Sequence, residues 1–445
     1  MADVAPLKPL RYADPRALER LVAPPYDVIS ESERASLAEK SEHNVVRLIL
    51  PKAPAGATDA DAKYAEAGRL IDAWRKEGAL VRDEQPALYR YDQTFAPPGG
   101  GERVTRTGFL ALVRLVPFAD RVVLPHERTL SGPKEDRLKL FRATRTNLSP
   151  GFMLYRDPQR ALDSALAAGE ELARFTVQAA TEPSPIEHVL TKIHRPDAVR
   201  AIVEHIAKGT LLIADGHHRY ETALHYSREI EEKGATSARA EHKYFMSFLA
   251  NEDDPSLLVF PTHRLVHGLS DFRLDALVPR VRDAFDAIDL PRTTDAKAYV
   301  AALAAAGKRA PSLVAIDREG RAVLLSLRAG FDASKHPTLG QRPPALRAAD
   351  VAILHSVVLE HALGITLEAQ AKQTNLTYLK DGGDAVRRIV AGEGDVLFLM
   401  NATPVAQVRS IAEEGEVMPQ KATYFYPKVL TGLTIHTLDP SREVG

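Results

Sequence analysis

Fourteen consecutive residues, LLIADGHHRYETAL from Leu211 to Leu224, set an acid, a glycine, two adjacent histidines and an arginine behind an apolar run. Leu211, Leu212, Ile213 and Ala214 with Asp215 read as a short buried strand that runs out to a polar tip. Gly216 supplies the backbone freedom of a turn, and Tyr220, Ala223 and Leu224 at helical spacing predict an amphipathic helix beginning near His217. A strand that hands directly to a helix leaves the first helical N–H groups without intrahelical partners, at the positive end of the dipole. That arrangement suits an anion, and Arg219 adds a planar charged fork that fits a phosphate or a carboxylate. A purely structural role accounts for the same residues. Asp215 then caps the helix, Arg219 pairs with Glu221 or another surface acid, and His217 and His218 bond locally.

The elements that would position this turn alternate along the chain. Ser30 and Glu33 form a capping-box pattern after the proline-rich PPYDVI, VVRLIL from Val45 reads as a strand, and a long amphipathic helix carries the single tryptophan, Trp74. ALYRYDQTF and RVTRTGFLALVRLV flank APPGGGE as a predicted hairpin. GFMLYR, an alanine-rich helix from about Pro158, strands at ARFTVQA and IEHVLTKI, and a helix over 196–208 lead into the turn. KYFMSFLAN and SLLVFPTHRLV read as further strands of the same sheet. The C-terminal part continues with a helix near Ala298, strands SLVAID, RAVLLSL and DVLFLM, and helices DVAILHSVVLEHAL and PVAQVRSIAEEG. Alternation of this kind predicts an α/β protein, and 445 residues exceed what one growing core supports.

Composition excludes more than it assigns. A net charge of −1 offers no general attraction to nucleic acid, and no basic helix-turn-helix module is evident. The absence of cysteine rules out disulfides, thiolate metal sites and cysteine nucleophiles. No signal-like start and no membrane-length apolar run are read, so the default location is cytoplasmic. Phosphate-loop, dinucleotide and nucleophile-elbow signatures are not found.

At IADGHHRYETAL the chain resembles the family called domain of unknown function 1015, and family-like phrases recur at PPYDVI, LPHERT, FPTHRLV and MPQKATYFYPKVLTGL. Ala422 stands where that family commonly carries a serine. More distantly, the turn looks like the phosphate turn of the ParB and sulfiredoxin superfamily. Sulfiredoxins place a cysteine before the His-Arg pair, whereas free-serine kinases have an Asp-Gly-His-x-Arg turn that Asp215, Gly216, His217 and Arg219 match. The resemblance implies a nucleotide (ATP or ADP with magnesium) or a phosphorylated metabolite at the turn, held by Gly216, His217, His218 and Arg219, with Asp215 orienting substrate or metal. It also implies an early glutamate as general base, for which Glu127 in LPHERT is the candidate beside the reading of a surface ion pair.

Other groups carry weaker signals. Lys134, Arg137, Lys139, Arg142 and Arg145 lie on a predicted helix, as a solvated face or with one or two reaching a phosphate, and His263 is equally a strand end or a ligand. His217, Glu221 and His225 fall four apart on one helical stripe, the pattern of an alternative metal-dependent hydrolase. In MPQKATYFYPK, Lys421 and Lys428 are point charges while Tyr424, Phe425 and Tyr426 offer an aromatic wall or half-buried strand residues. The segment is expected to fold back over Asp215 so that Lys421 adds a second positive charge to a bound anion.

The expectation is therefore a mixed α+β chain with an N-terminal segment over 1–117, a ParB/sulfiredoxin-like core over 118–269 and a C-terminal α/β segment over 270–445. Its function is binding of a nucleotide or phosphorylated small metabolite, with serine-kinase-like phosphotransfer to a small hydroxylated metabolite. The other classes are a non-enzymatic nucleotide-responsive protein and the metal-dependent hydrolase. A small molecule is the expected partner, with no nucleic acid and no membrane.

Overall fold

The computed structural model describes residues 1–97, 101–129, 131–179 and 184–445. The chain is mixed α/β and divides into two compact units, one of Met1–Pro125, Thr129–Leu257 and Pro427–Gly445, the other of His126–Arg128 and Leu258–Tyr426. This division departs from breaks at 117 and 269. Strands from both sides of residue 117 hydrogen-bond in one sheet, so 1–117 has no separate core.

The first unit is built on a nine-stranded mixed sheet. Its strands run in the spatial order Val123–Leu124, Leu211–Asp215, Gly151–Tyr155, Tyr244–Asn251, Val104–Arg114, Leu88–Phe95, Ile186–Ile193 and Glu170–Val177, with Val4–Ala5 on Val104–Arg114. Leu211–Asp215 lies parallel to Val123–Leu124 and antiparallel to Gly151–Tyr155. The expected hairpin of Leu88–Phe95 and Val104–Arg114 forms, while Pro98, Gly99 and Gly100 of its tip lie outside the described residues.

Leu211 and Ile213 are buried in the core together with Tyr220, Ala223 and Tyr226 of the His217–Glu231 helix. Those helical positions are three apart and therefore share one face. Tyr226 meets Phe141 of the Ser131–Thr144 helix with ring centroids 5.8 Å apart, and Tyr220 packs on Phe118 at 5.3 Å. The Tyr220 hydroxyl donates to the Val116 carbonyl and accepts from the Val116 N–H, each at 2.9 Å. A buried phenol is thus satisfied in both roles, and it anchors the helix that opens at the turn.

The second unit carries a six-stranded antiparallel sheet in the order Phe285–Leu290, Ala322–Leu327, Ser312–Asp317, Val396–Met400, His263–Val266, Leu376–Leu379. Both faces are covered. Leu313 and Ala315 face one apolar cluster with helix Leu274–Val281 and the π-helical Leu354–Ala362, while Val314 and Ile316 face another with helices Ala296–Gly307 and Gly382–Val390. Burial of alternate residues on opposite faces explains why these strands read as continuous apolar runs.

Several local expectations change. VVRLIL is helical at Val46–Ile49 rather than a strand, because Val45, Val46, Leu48 and Ile49 are all buried at helical spacing and Asn44 accepts the Val46 N–H. The alanine-rich stretch after Pro158 shortens to Asp163–Ala167. Leu258–Phe260 and His263–Val266 do not extend the sheet of Tyr244–Asn251; the first pairs with Tyr424–Tyr426 and the second joins the six-stranded sheet. No helix among the described residues is long and apolar enough to cross a membrane.

Replacing Tyr220 by Phe removes a hydroxyl that serves two backbone groups and leaves both without it. The expected cost is about 1–3 kcal/mol of unfolding free energy, read as a lower midpoint in urea. An unchanged midpoint would show that this bond pair does not anchor the helix.

Candidate functional site

The Leu211–Asp215 strand keeps register with Gly151–Tyr155 through Ile213 and then slips, so that Asp215 stands opposite Phe152. Such an irregularity re-aims the side chain at the strand end. Gly216 follows at φ +96°, a left-handed conformation, and it is the N-cap residue of a 15-residue helix, His217–Glu231. Glycine is required there twice over. The positive φ disfavours any side chain, and a Cβ on residue 216 would lie 3.0 Å from Arg219 Nε and 3.1 Å from its Cζ. The guanidinium therefore packs over the bare backbone of the turn.

From that position Arg219 donates to the Pro150 carbonyl and, at 3.2 Å, to one oxygen of Asp215. Lys428 Nζ donates to the other Asp215 oxygen at 2.6 Å. The side chains of Arg219, Lys428 and Asp215 are 8, 12 and 18 % exposed, so their charges are little screened by water. Two cations share one carboxylate, and the three groups carry a net charge of +1. The N-cap residue, Gly216, has no side chain with which to cap the helix, and the first turn holds no acid. The ion pair of Arg219 is with Asp215 rather than Glu221. His217 is buried and His218 half-buried at the same end of the helix.

Next to the turn Arg219 lines a small cavity of about 20 Å³ with Tyr26, Arg137, Asn147 and Ser149. It has room for a water. Arg137 lies over the Tyr26 ring at 4.2 Å, donates to the Ile49 carbonyl at 2.7 Å and pairs with Asp136. Burial pushes the Tyr26 hydroxyl pKa up, Arg219 and Arg137 pull against it, and Asp27 and Asp215 reinforce it. Tyr26, Arg137 and Lys428 thus join Arg219 in the first unit without having been singled out as site residues. Their sequence signals were the PPYDVI turn, the basic helix and the lysine after the aromatic triplet.

The remaining candidates separate by unit. Glu127 and Lys421 both belong to the second, where the Lys421 backbone N–H donates to Glu127 Oε1 at 2.9 Å. The lysine on Asp215 is Lys428, seven residues beyond the one expected. Lys421 has φ +55° and an exposed side chain. His126 Nε2 bonds Thr423 Oγ1 at 2.9 Å and Met418 N–H donates to the His126 carbonyl, which ties His126 to the Met418–Thr423 stretch within that unit. Tyr424 is half-buried while Phe425 and Tyr426 are buried as strand residues. His263 is buried, its Nδ1 accepts the Met400 N–H at 3.1 Å, and burial lowers its pKa to about 4. A strand-end role accounts for it.

The metal alternative fails on partners. His225 Nε2 bonds Glu229 at 3.0 Å, and Glu221 takes Thr129 and, at 3.3 Å, Lys134, so His217, Glu221 and His225 do not converge. Among the described residues no group of three His, Asp or Glu side chains is arranged to hold a metal ion.

The family model described as "Protein of unknown function (DUF1015)" matches residues 4–352, and the chain belongs to that family. The Met418–Leu433 phrase lies beyond the matched span. No curated protein matches. Among solved structures, a conserved hypothetical protein from Pyrococcus furiosus is 15 % identical, with 68 % of this chain and 87 % of that one covered at a TM-score of 0.34. A free serine kinase in complex with AMP is 14 % identical, with 72 % and 89 % covered at 0.35. SbnI with a C-terminal truncation, from Staphylococcus aureus, is 11 % identical, with 74 % and 87 % covered at 0.35. Similarity at this level transfers no activity to the present chain.

Gly216→Ala forces a side chain into the left-handed region and against the Arg219 guanidinium. The expected loss is roughly 1–2 kcal/mol in denaturant unfolding from the backbone conformation alone. An unaltered stability would mean that the turn tolerates a Cβ.

Proposed function

We propose that the Asp215–Arg219 turn of this DUF1015 member binds the phosphate of a nucleotide or phosphorylated small metabolite, and that the protein is a phosphotransferase acting on a small hydroxylated metabolite. One observation carries the reading: Arg219 and Lys428 share the single carboxylate of Asp215 at the start of a long helix. A net positive, mostly buried cluster at the positive end of a helix dipole complements an anion. The resemblance of the turn to Asp-Gly-His-x-Arg points the same way.

In this reading the first N–H groups of the helix and Arg219 bind phosphate oxygens, His217 or His218 donates to them, and Lys428 holds Asp215 in place. Asp215 already gives one oxygen to each cation. Each of these oxygens keeps a second lone pair, so Asp215 would orient the substrate or a magnesium ion that arrives on the nucleotide. Such an ion offsets charge on the phosphoryl oxygens.

The experiment is a thermal-shift screen with ATP, ADP, CTP, serine and phosphoserine, each with and without magnesium, followed by turnover assays on whatever binds. Arg219→Ala should weaken the bound anion by about ten- to a hundred-fold, the loss of one charge-assisted hydrogen bond. Lys428→Ala should weaken it as well, by removing the cation that holds Asp215 in place. Unchanged affinity in both folded variants would sink the phosphate reading.

If turnover is found, Asp215→Asn should depress it far more than it depresses nucleotide affinity. Full turnover in that variant would remove its assigned role, and binding without turnover would favour a nucleotide-responsive binding protein.

A further inference from the structure

The second unit holds a partly open cavity of about 180 Å³ that the phosphate reading does not use. Its wall includes His355 and Ser356 from the π-helical Leu354–Ala362, Gln370 from helix Leu367–Lys372, Tyr378, Met418 and the two arginines Arg128 and Arg342. Extended π-helical segments are rare and concentrate at functional sites.

His355 is the informative residue. It is 4 % exposed, and its Nδ1 lies 2.7 Å from Gln370 Oε1. The Gln370 amide is oriented by two donations from its Nε2, to the Ile365 carbonyl at 2.7 Å and the His355 carbonyl at 3.2 Å. Its oxygen must therefore face the ring, which puts the imidazole proton on Nδ1 and leaves Nε2 as a bare acceptor. Among the described residues that Nε2 is buried and has no hydrogen-bond partner. Burial lowers the His355 pKa to about 3, with Arg264 and Arg342 adding to the fall, so the ring stays a neutral acceptor. A buried acceptor left unmet is costly and calls for a donor.

The charges in the wall say what else the donor carries. Arg342 is occupied by Ser356 and Glu360, whereas Arg128 is exposed and makes no ion pair among the described residues. Buried Arg264 lies 5.4 Å from the Tyr378 ring, and its Nε is likewise without a hydrogen-bond partner among the described residues. Glu360 offsets Arg342 and the nearby Glu127 offsets Arg264, which leaves Arg128 as the cation that disfavours an ammonium donor and favours an anion. Leu346, Leu367 and Met418 give the rest of the wall an apolar character.

We infer that this cavity is a binding site for a small organic acid with an apolar body and a hydroxyl group, the hydroxyl donating to His355 Nε2 and the carboxylate facing Arg128. The inference stands apart from the phosphate reading, since it rests on other residues and another ligand chemistry.

The full-length protein tests it by calorimetric titration with two probes, 4-hydroxybenzoate and 2-hydroxyisocaproate, each beside its analogue without the hydroxyl, benzoate or isocaproate. At least one hydroxylated acid should bind about ten-fold more tightly than its analogue, the worth of one hydrogen bond to a buried group. His355→Leu should abolish that preference, and Arg128→Ala, at an exposed position, should weaken the acid by about ten-fold. Should His355→Leu fail to fold, the analogue comparison and Arg128→Ala still decide. No binding of either hydroxy acid at millimolar concentration overturns the inference, as does a hydroxyl preference that survives in folded His355→Leu.

Discussion

Arg219 stacks its guanidinium where a side chain on residue 216 would stand, and the rest of the first unit's candidate site follows from that contact. Only a glycine at φ +96° both turns the chain from strand to helix and leaves that space open. The arginine can then reach back across the turn to Asp215 and to the Pro150 carbonyl of the neighbouring strand segment. Helix, strand end and sheet neighbour are thereby locked by one planar group. Lys428, from the returning C-terminal segment, completes the arrangement on the second Asp215 oxygen.

Such a cluster is expensive to desolvate. Three charges with side chains at most 18 % exposed have lost much of their hydration, and attraction between them offsets that loss only if each proton and lone pair is placed well. A buried ion cluster is thus weak evidence for stability and stronger evidence for a function, above all when its net charge is positive and a helix dipole adds to it. The same logic applies to His355 in the second unit. There a hydrogen bond from His355 Nδ1–H to the Gln370 amide oxygen fixes the tautomer, and a lone pair is left buried. In both units a polar group is held in a costly state by neighbours that are themselves fully engaged.

What was legible in the sequence was what local geometry controls. The run Leu211–Ala214, the glycine and the spacing of Tyr220 and Ala223 are sufficient to specify a strand, a left-handed turn and a helix, and all three form as read. The Ser30 cap on Glu33 is also local, and it forms. VVRLIL was not legible, because β-branched residues prefer strands in isolation while burial on a helical face overrides that preference. The shared-sheet expectation for SLLVFPTHRLV failed for a related reason. Strand character is set by residues, whereas the choice of partner strand is set by the fold.

The sequence by itself determined the chemistry available at the turn, an acid, two histidines and an arginine on the rim of a strand–helix junction, since these lie within five residues. Only the tertiary structure decided which groups complete it. Lys428 rather than Lys421 bonds Asp215, Tyr26 and Arg137 come in from distant parts of the chain, and the Gln370 amide selects the His355 tautomer. The physical reason is range. Backbone dihedrals and side-chain periodicity act over a few residues and leave their mark in the pattern, whereas ion pairing and burial act through space between segments as far as 213 residues apart, where no spacing rule connects them.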